Sequence, residues 1–138
     1  MTLTLPGTSV SILGRAALLR GRSGAGKSDL ALRLVDEGAV LVGDEAVVAE
    51  RVGEQVVVSP MPSIRGLMEV RGFGVVALPT VARQPLRLIV DLVTGAEPER
   101  LPEPEWESVL GVAVRRMVLN PMLASAAPRV RMALAYGS

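Results

Sequence analysis

Short apolar bursts bounded by glycine or proline run through this chain, and one stretch breaks into a helical rhythm. TSVSI (residues 8–12) and AALLR (16–20) read as strands joined by a hairpin turn at Leu13-Gly14-Arg15. Residues 28–37 (SDLALRLVDE) place Leu30, Ala31, Leu34 and Val35 at i, i+4 spacing, which predicts an amphipathic helix closed by Gly38 as a left-handed C-cap. The continuous apolar run 39–42 (AVLV) predicts a strand buried on both faces. Strand, glycine loop, helix, strand is the βαβ grammar of an α/β nucleotide-binding core, and the second strand is expected to run in a parallel sheet. Residues 46–51 and 55–59 predict a hairpin around Gly53-Glu54, ended by Pro60 and Pro62. Residues 63–74 hold three glycines without clear periodicity, and 75–78 and 86–92 are strand-like. Five Glu and three Pro in 97–107 predict a mobile surface loop. A strand near 113–119 follows, and Ser125 is placed to cap a last helix to about Tyr136, with Pro128 tolerated in its first turn.

Composition narrows the chemistry. At 138 residues the expectation is one domain spanning 1–138, and 49% apolar content with 21% charged predicts a packed globule. A formal charge of +1 supplies no field toward nucleic acid or an anionic membrane. No apolar run approaches bilayer length, and MTLTLPGTSV lacks a basic signal-peptide region, so a cytoplasmic protein without a membrane or nucleic-acid partner is expected. The absence of Cys and His excludes thiolate zinc sites and every mechanism with a histidine base. Carboxylates, hydroxyls, Arg, backbone amides and one lysine remain.

That lysine stands in Gly21-Arg22-Ser23-Gly24-Ala25-Gly26-Lys27-Ser28, which fits G-x-x-x-x-G-K-[ST] at every position. In this composition a chance match is on the order of 10⁻³. A loop that wraps phosphate must turn its amides inward, which a Cβ obstructs, and the helix that follows aims its positive end at the same anion. Lys27 is then the group for the β/γ-phosphates of ATP and Ser28 for Mg²⁺. Asp44 and Glu45 end the next strand. One carboxylate there can hold Mg²⁺ and the other can accept a proton from an attacking hydroxyl. Glu69-Val70-Arg71-Gly72-Phe73-Gly74 reads equally as a turn with a local ion pair or as a loop approaching phosphate or a partner.

GRSGAGKSDLALRLVDEGAVLVGDE followed by GLMEVRGFGVVAL resembles the catalytic domain of HPr kinase/phosphorylase, the bacterial P-loop enzyme that phosphorylates a serine of the phosphocarrier HPr. The resemblance runs from about Gly7 to Leu134 and implies an α/β P-loop core with a mixed sheet and few helices. It further implies ATP and Mg²⁺ as cofactors, HPr or a nitrogen-branch HPr relative as partner, and hexameric self-association. The P-loop starts at Gly21, so the chain looks like the short, catalytic-domain-only form of alphaproteobacteria. By the same resemblance Gly21 through Ser28 bind ATP, Glu45 is the proton acceptor, and Glu69 joins Ser28 and Asp44 around the metal. Residues 68–77 serve both directions of catalysis, and Arg100 takes the place of a catalytic arginine. Read from the residues alone, Arg100 is equally a surface charge among glutamates.

Three positions depart from the family pattern. Pro6 stands where the family has a catalytic His, and Glu45 replaces Asp and is one methylene longer. Asn120-Pro121-Met122-Leu123-Ala124-Ser125 carries no basic residue where the dephosphorylation loop belongs. A serine kinase with weak or absent phosphorylase activity is expected. The rivals are a nucleotide-binding sensor without turnover and a P-loop kinase of a small metabolite; the latter is disfavoured because Arg115-Arg116 is the only adjacent arginine pair.

Overall fold

In a computed structural model, which describes residues 1–95 and 98–137, nine strands hydrogen-bond into one mixed sheet and two helices pack against it. The strands are β1 (Thr2–Pro6), β2 (Thr8–Ile12), β3 (Arg15–Arg20), β4 (Val40–Gly43), β5 (Ala46–Val52), β6 (Gln55–Pro60), β9 (Gln84–Leu92), β10 (Glu105–Val109) and β11 (Val112–Leu119). A separate hairpin is formed by β7 (Leu67–Val70) and β8 (Gly74–Ala77), and the helices are α1 (Lys27–Asp36) and α2 (Ala126–Tyr136). The strand order is β1-β5-β6-β9-β3-β2-β4, with β11 also parallel to β9 and β10 antiparallel to β11.

Strand periodicity builds three layers. Ala17 and Leu19 of β3 pack with Leu30 and Leu34 of α1 and Val130 of α2. Their alternates Ala16 and Leu18 pack with Val47, Ala49, Val56 and Val58 of β5 and β6. Successive side chains of a strand point to opposite faces, so β3 is sandwiched between the helices and the β5–β6 layer. The α/β class with a mixed sheet and few helices is as expected.

The βαβ expectation holds in direction but not in adjacency. Strands β3 and β4 are both antiparallel to β2, hence parallel to each other, and β2 lies between them. Gly38 ends α1 as foreseen: at φ +111° it lets its own N–H reach the Val35 carbonyl and the Ala39 N–H reach Leu34. Burial on both faces fails at the first residue of β4, where Val40 is 38% exposed, but holds for Leu41, Val42 and Gly43. In the acidic segment Glu97 lies outside the described residues, and Glu105, Trp106 and Glu107 form β10 rather than loop. Glu105 there faces Arg116 of β11 in register, and Glu107 is ion-paired to Arg20 of β3. Ser125 stands at the start of α2, but its hydroxyl accepts from the Arg129 side chain instead of capping the helix backbone. Strands β1 and β7 were not expected. Among the described residues no helix is long and apolar enough to cross a membrane.

Candidate nucleotide and metal site

The loop from β3 to α1 shows why its glycines are required. Gly24 and Gly26 sit at φ +83° and +101°, in the left-handed region that a side chain strains. A Cβ on Gly26 would also lie 3.3 Å from the Pro121 ring, and one on Gly21 would lie 2.9 Å from the Ala25 methyl. Arg22 and Ser23 are exposed on the loop. Lys27 folds back across it, its ammonium donating to the carbonyls of Gly21 at 2.6 Å and Arg22 at 3.1 Å. Those carbonyl contacts place the cation at the loop's mouth.

Ser28 and Asp44 meet directly: the serine hydroxyl donates to Asp44 Oδ1 at 2.9 Å. Asp44 is 6% exposed and its Oδ1 also accepts from Thr8 Oγ1 at 2.9 Å. Gly43 makes room for this turn, since a Cβ there would come within 2.8 Å of the Ala46 carbonyl. Glu45 follows at φ +74°, and the Ala46 N–H reaches back to the Asp44 carbonyl at 2.9 Å, which is a γ-turn centred on a residue other than glycine. Such turns are strained, and this one leaves the Glu45 carboxylate exposed beside a buried acid. The Glu45 carbonyl accepts from Gly7 N at 2.9 Å, and Pro6 pairs with Ala46, so the Pro6 position adjoins the two acids.

Glu69 and Arg100 are not drawn into this cluster. Both are exposed, and neither side chain is hydrogen-bonded or ion-paired to a described residue. Glu69 sits on β7, whose neighbour Met68 is buried in the helix-side core while Leu41 of β4 bridges to Thr80 just beyond β8. The hairpin is therefore anchored next to the strand that leads into Asp44. Among the described residues no group of three or more acidic side chains gathers as a metal cage. The Asn120–Ser125 segment does lie against the motif: the Pro121 carbonyl accepts from Arg33 of α1 at 2.6 Å, and its ring abuts Gly26.

One feature escaped sequence reasoning. Arg20, the residue before the motif, donates two hydrogen bonds to Asp91 (2.8 and 2.9 Å) and two to Glu107 (2.6 and 2.8 Å). Arg116 joins it by binding Asp91 at 2.5 Å and Glu105 at 2.9 Å. The hydrogen bonds it donates to Asp91 and then to Glu107 hold the Arg20 guanidinium protonated well above its usual range. Burial pushes the Asp91 carboxyl up, but the hydrogen bonds from Arg20 and Arg116 outweigh it and hold the group below the ordinary carboxylate range. These five residues are spread over four strands, and no local spacing announces them.

A mixed sheet with a glycine-rich loop running from a buried strand into a helix, and an acid just beyond the next parallel strand, is an α/β core of the expected class. The comparisons with known proteins agree and go further. The family model for the HPr serine kinase C-terminal domain matches residues 2–123, and the chain belongs to that family. It is 38% identical over 126 residues to the HPr kinase/phosphorylase of Leptothrix cholodnii, covering 82% of this chain and 39% of that protein. To the protein of the same name from Caldicellulosiruptor bescii it is 35% identical over 129 residues, covering 85% and 42%. The chain thus spans about two fifths of the length of these relatives. The solved structure of the Hpr(Ser) kinase/phosphatase from Coxiella burnetii superposes with a TM-score of 0.82 at 22% identity, covering 94% of this chain and 92% of that one, which is a likeness of fold.

Proposed function

We propose that residues 1–138 act as an ATP-dependent serine kinase on HPr or a nitrogen-branch HPr relative, with weak or absent phosphorylase activity. The observation that carries this reading is the meeting of Ser28 and Asp44 at 2.9 Å beside a loop whose mouth holds the lone lysine. The motif loop would take the triphosphate on its amides and the α1 N-terminus, and Lys27 would leave the Gly21 and Arg22 carbonyls to neutralise the β/γ-phosphates. Ser28 and Asp44 are hard oxygen donors, a set that suits Mg²⁺, whose shell is otherwise filled by water and phosphate oxygens. When bound, the metal supplies charge neutralisation on the phosphates. Glu69 would reach this site only from its exposed place on β7.

The exposed Glu45 carboxylate would accept the proton of the substrate serine hydroxyl as its oxygen attacks the γ-phosphorus and the bond to ADP breaks. Arg100 would have to swing in from the segment after β9 to stabilise the transferring charge. The Asn120–Ser125 segment brings no cation to the loop, which is the reason to expect little reverse activity. Incubating the protein with HPr and γ-labelled ATP tests the reading: label on a serine of HPr is expected. None, under conditions where a longer relative labels it, overturns the kinase assignment.

One observation favours a second reading. Pro6, which has no titratable group, adjoins the two acids at the place where the resemblance puts a histidine. On that ground the domain would hold nucleotide without transferring phosphate, and calorimetry showing tight ATP·Mg²⁺ binding alongside zero turnover would select it.

A further inference from the structure

Asp44 is held from two sides, and only one of them belongs to the motif. Ser28 rides on the first turn of α1 next to the loop, so its hydroxyl is tied to whatever the loop binds. Thr8 stands on β2, which is locked between β3 and β4, and it is 1% exposed with its Oγ1 2.9 Å from the same Oδ1. The corner before it is equally fixed. Gly7 at φ +134° has no space for a Cβ, which would fall 2.7 Å from the Leu19 carbonyl, and its N–H binds the Glu45 carbonyl. The two other buried hydroxyls of β2 serve the sheet itself, Ser9 binding the Ala17 carbonyl and Ser11 the Gln84 side chain. Thr8 alone is aimed at an acid.

We propose that Thr8 is a positioning residue for Asp44, fixing Oδ1 from the sheet so that Oδ2 stays turned toward the metal whatever the motif loop does. No described residue donates to Oδ2, which leaves that oxygen for the ion or one of its waters. A terminal carboxylate torsion is broad, so one donor on a mobile turn would leave the plane of Asp44 free to follow the loop. A second donor on a central strand removes that freedom and preorganises the ligand. The inference rests on the reading of Ser28 and Asp44 as metal-holding residues given above.

Thr8→Val keeps the shape and removes the hydroxyl, and Thr8→Ser restores it. Nucleotide affinity is measured by calorimetry with a non-hydrolysable ATP analogue, first without metal and then across a Mg²⁺ titration. In Thr8→Val the metal-free affinity is expected to stay within about twofold, while the Mg²⁺ concentration at half-effect rises about tenfold, the size of one hydrogen bond to a charged group. Thr8→Ser should return it to within about twofold. Thr8→Ala serves if the valine variant melts early, and in an Asp44→Asn background the threonine substitutions should no longer move the midpoint. An unchanged Mg²⁺ midpoint in Thr8→Val, or an equal loss of metal-free affinity, overturns the proposal and leaves the kinase reading standing. A wild-type protein whose nucleotide binding ignores Mg²⁺ overturns both.

Discussion

In the proposed reaction, Glu45 concentrates the conflict between stability and chemistry in one residue. A side chain at φ +74° in a γ-turn costs about 1–3 kcal/mol, which glycine would relieve at a smaller cost in backbone entropy. Glu45→Gly is therefore expected to melt no lower than the wild type, and up to a few degrees higher, while serine phosphorylation disappears. Calorimetric melting and the label-transfer assay read the two effects separately; a variant that melts much lower shows that the turn is not strained. Glu45→Asp shortens the proposed proton acceptor to the residue that the resemblance to the family implies at this place. It is expected to raise phosphorylation, by as much as about 10²-fold if the longer side chain misplaces the carboxylate by ~1 Å. Lys27→Ala should weaken ATP binding by about 10²-fold without moving the melting point, because among the described residues the lysine's only partners are two carbonyls of an exposed loop. Both the motif and Asp44 were readable from sequence because their geometry is local: a run of eight residues, and an acid at a strand end. Thr8 was not, since its partner lies 36 positions away and a threonine in an apolar strand has an ordinary explanation.

At the scale of elements, the turns carry the most legible information. Leu13-Gly14 and Leu110-Gly111 each close a two-residue hairpin with both residues at positive φ, the type I′ geometry that matches strand twist. Glycine is at home there and leucine is not. Leu13 is moreover 80% exposed, so nothing in its packing offsets the backbone cost. Leu13→Asn should stabilise the protein by about 0.5–1 kcal/mol, seen as a higher urea midpoint at unchanged slope. A fall in that midpoint would mean that the exposed leucine is covered in solution. The strands that escaped notice did so for identifiable reasons. Strand β7 buries only Met68 of its four residues, and β1 is an edge strand whose Leu5 is half covered. Strand β10 hides behind its glutamates. A carboxylate-rich stretch reads as solvated until the arginines opposite it are known, and Arg20 lies 87 positions from Glu107.

For the molecule as a whole, the Arg20–Asp91–Arg116 cluster ties the base of the motif loop to the neighbouring strands β9 and β11. Arg116 grips Asp91 at the end of β9 and Glu105 at the start of β10, so it pins both ends of the segment that carries Arg100. Asp91 titrates below its unfolded value of about 3.9, so the unfolded chain takes up its proton first as pH falls. The stability it contributes is complete above that value and drains away as pH drops through the lower native pKa. Asp91→Asn leaves two guanidinium groups short of an acceptor and should cost about 1–3 kcal/mol at pH 7. The gap between wild type and variant should close progressively below about pH 4, once the wild-type carboxyl is itself protonated. Chemical denaturation at pH 7, 4 and 2.5 measures it. A gap that stays constant across that range would show that Asp91 acts through shape instead of charge, and the link between the acid cluster and the Arg100 segment would have to be sought in packing alone.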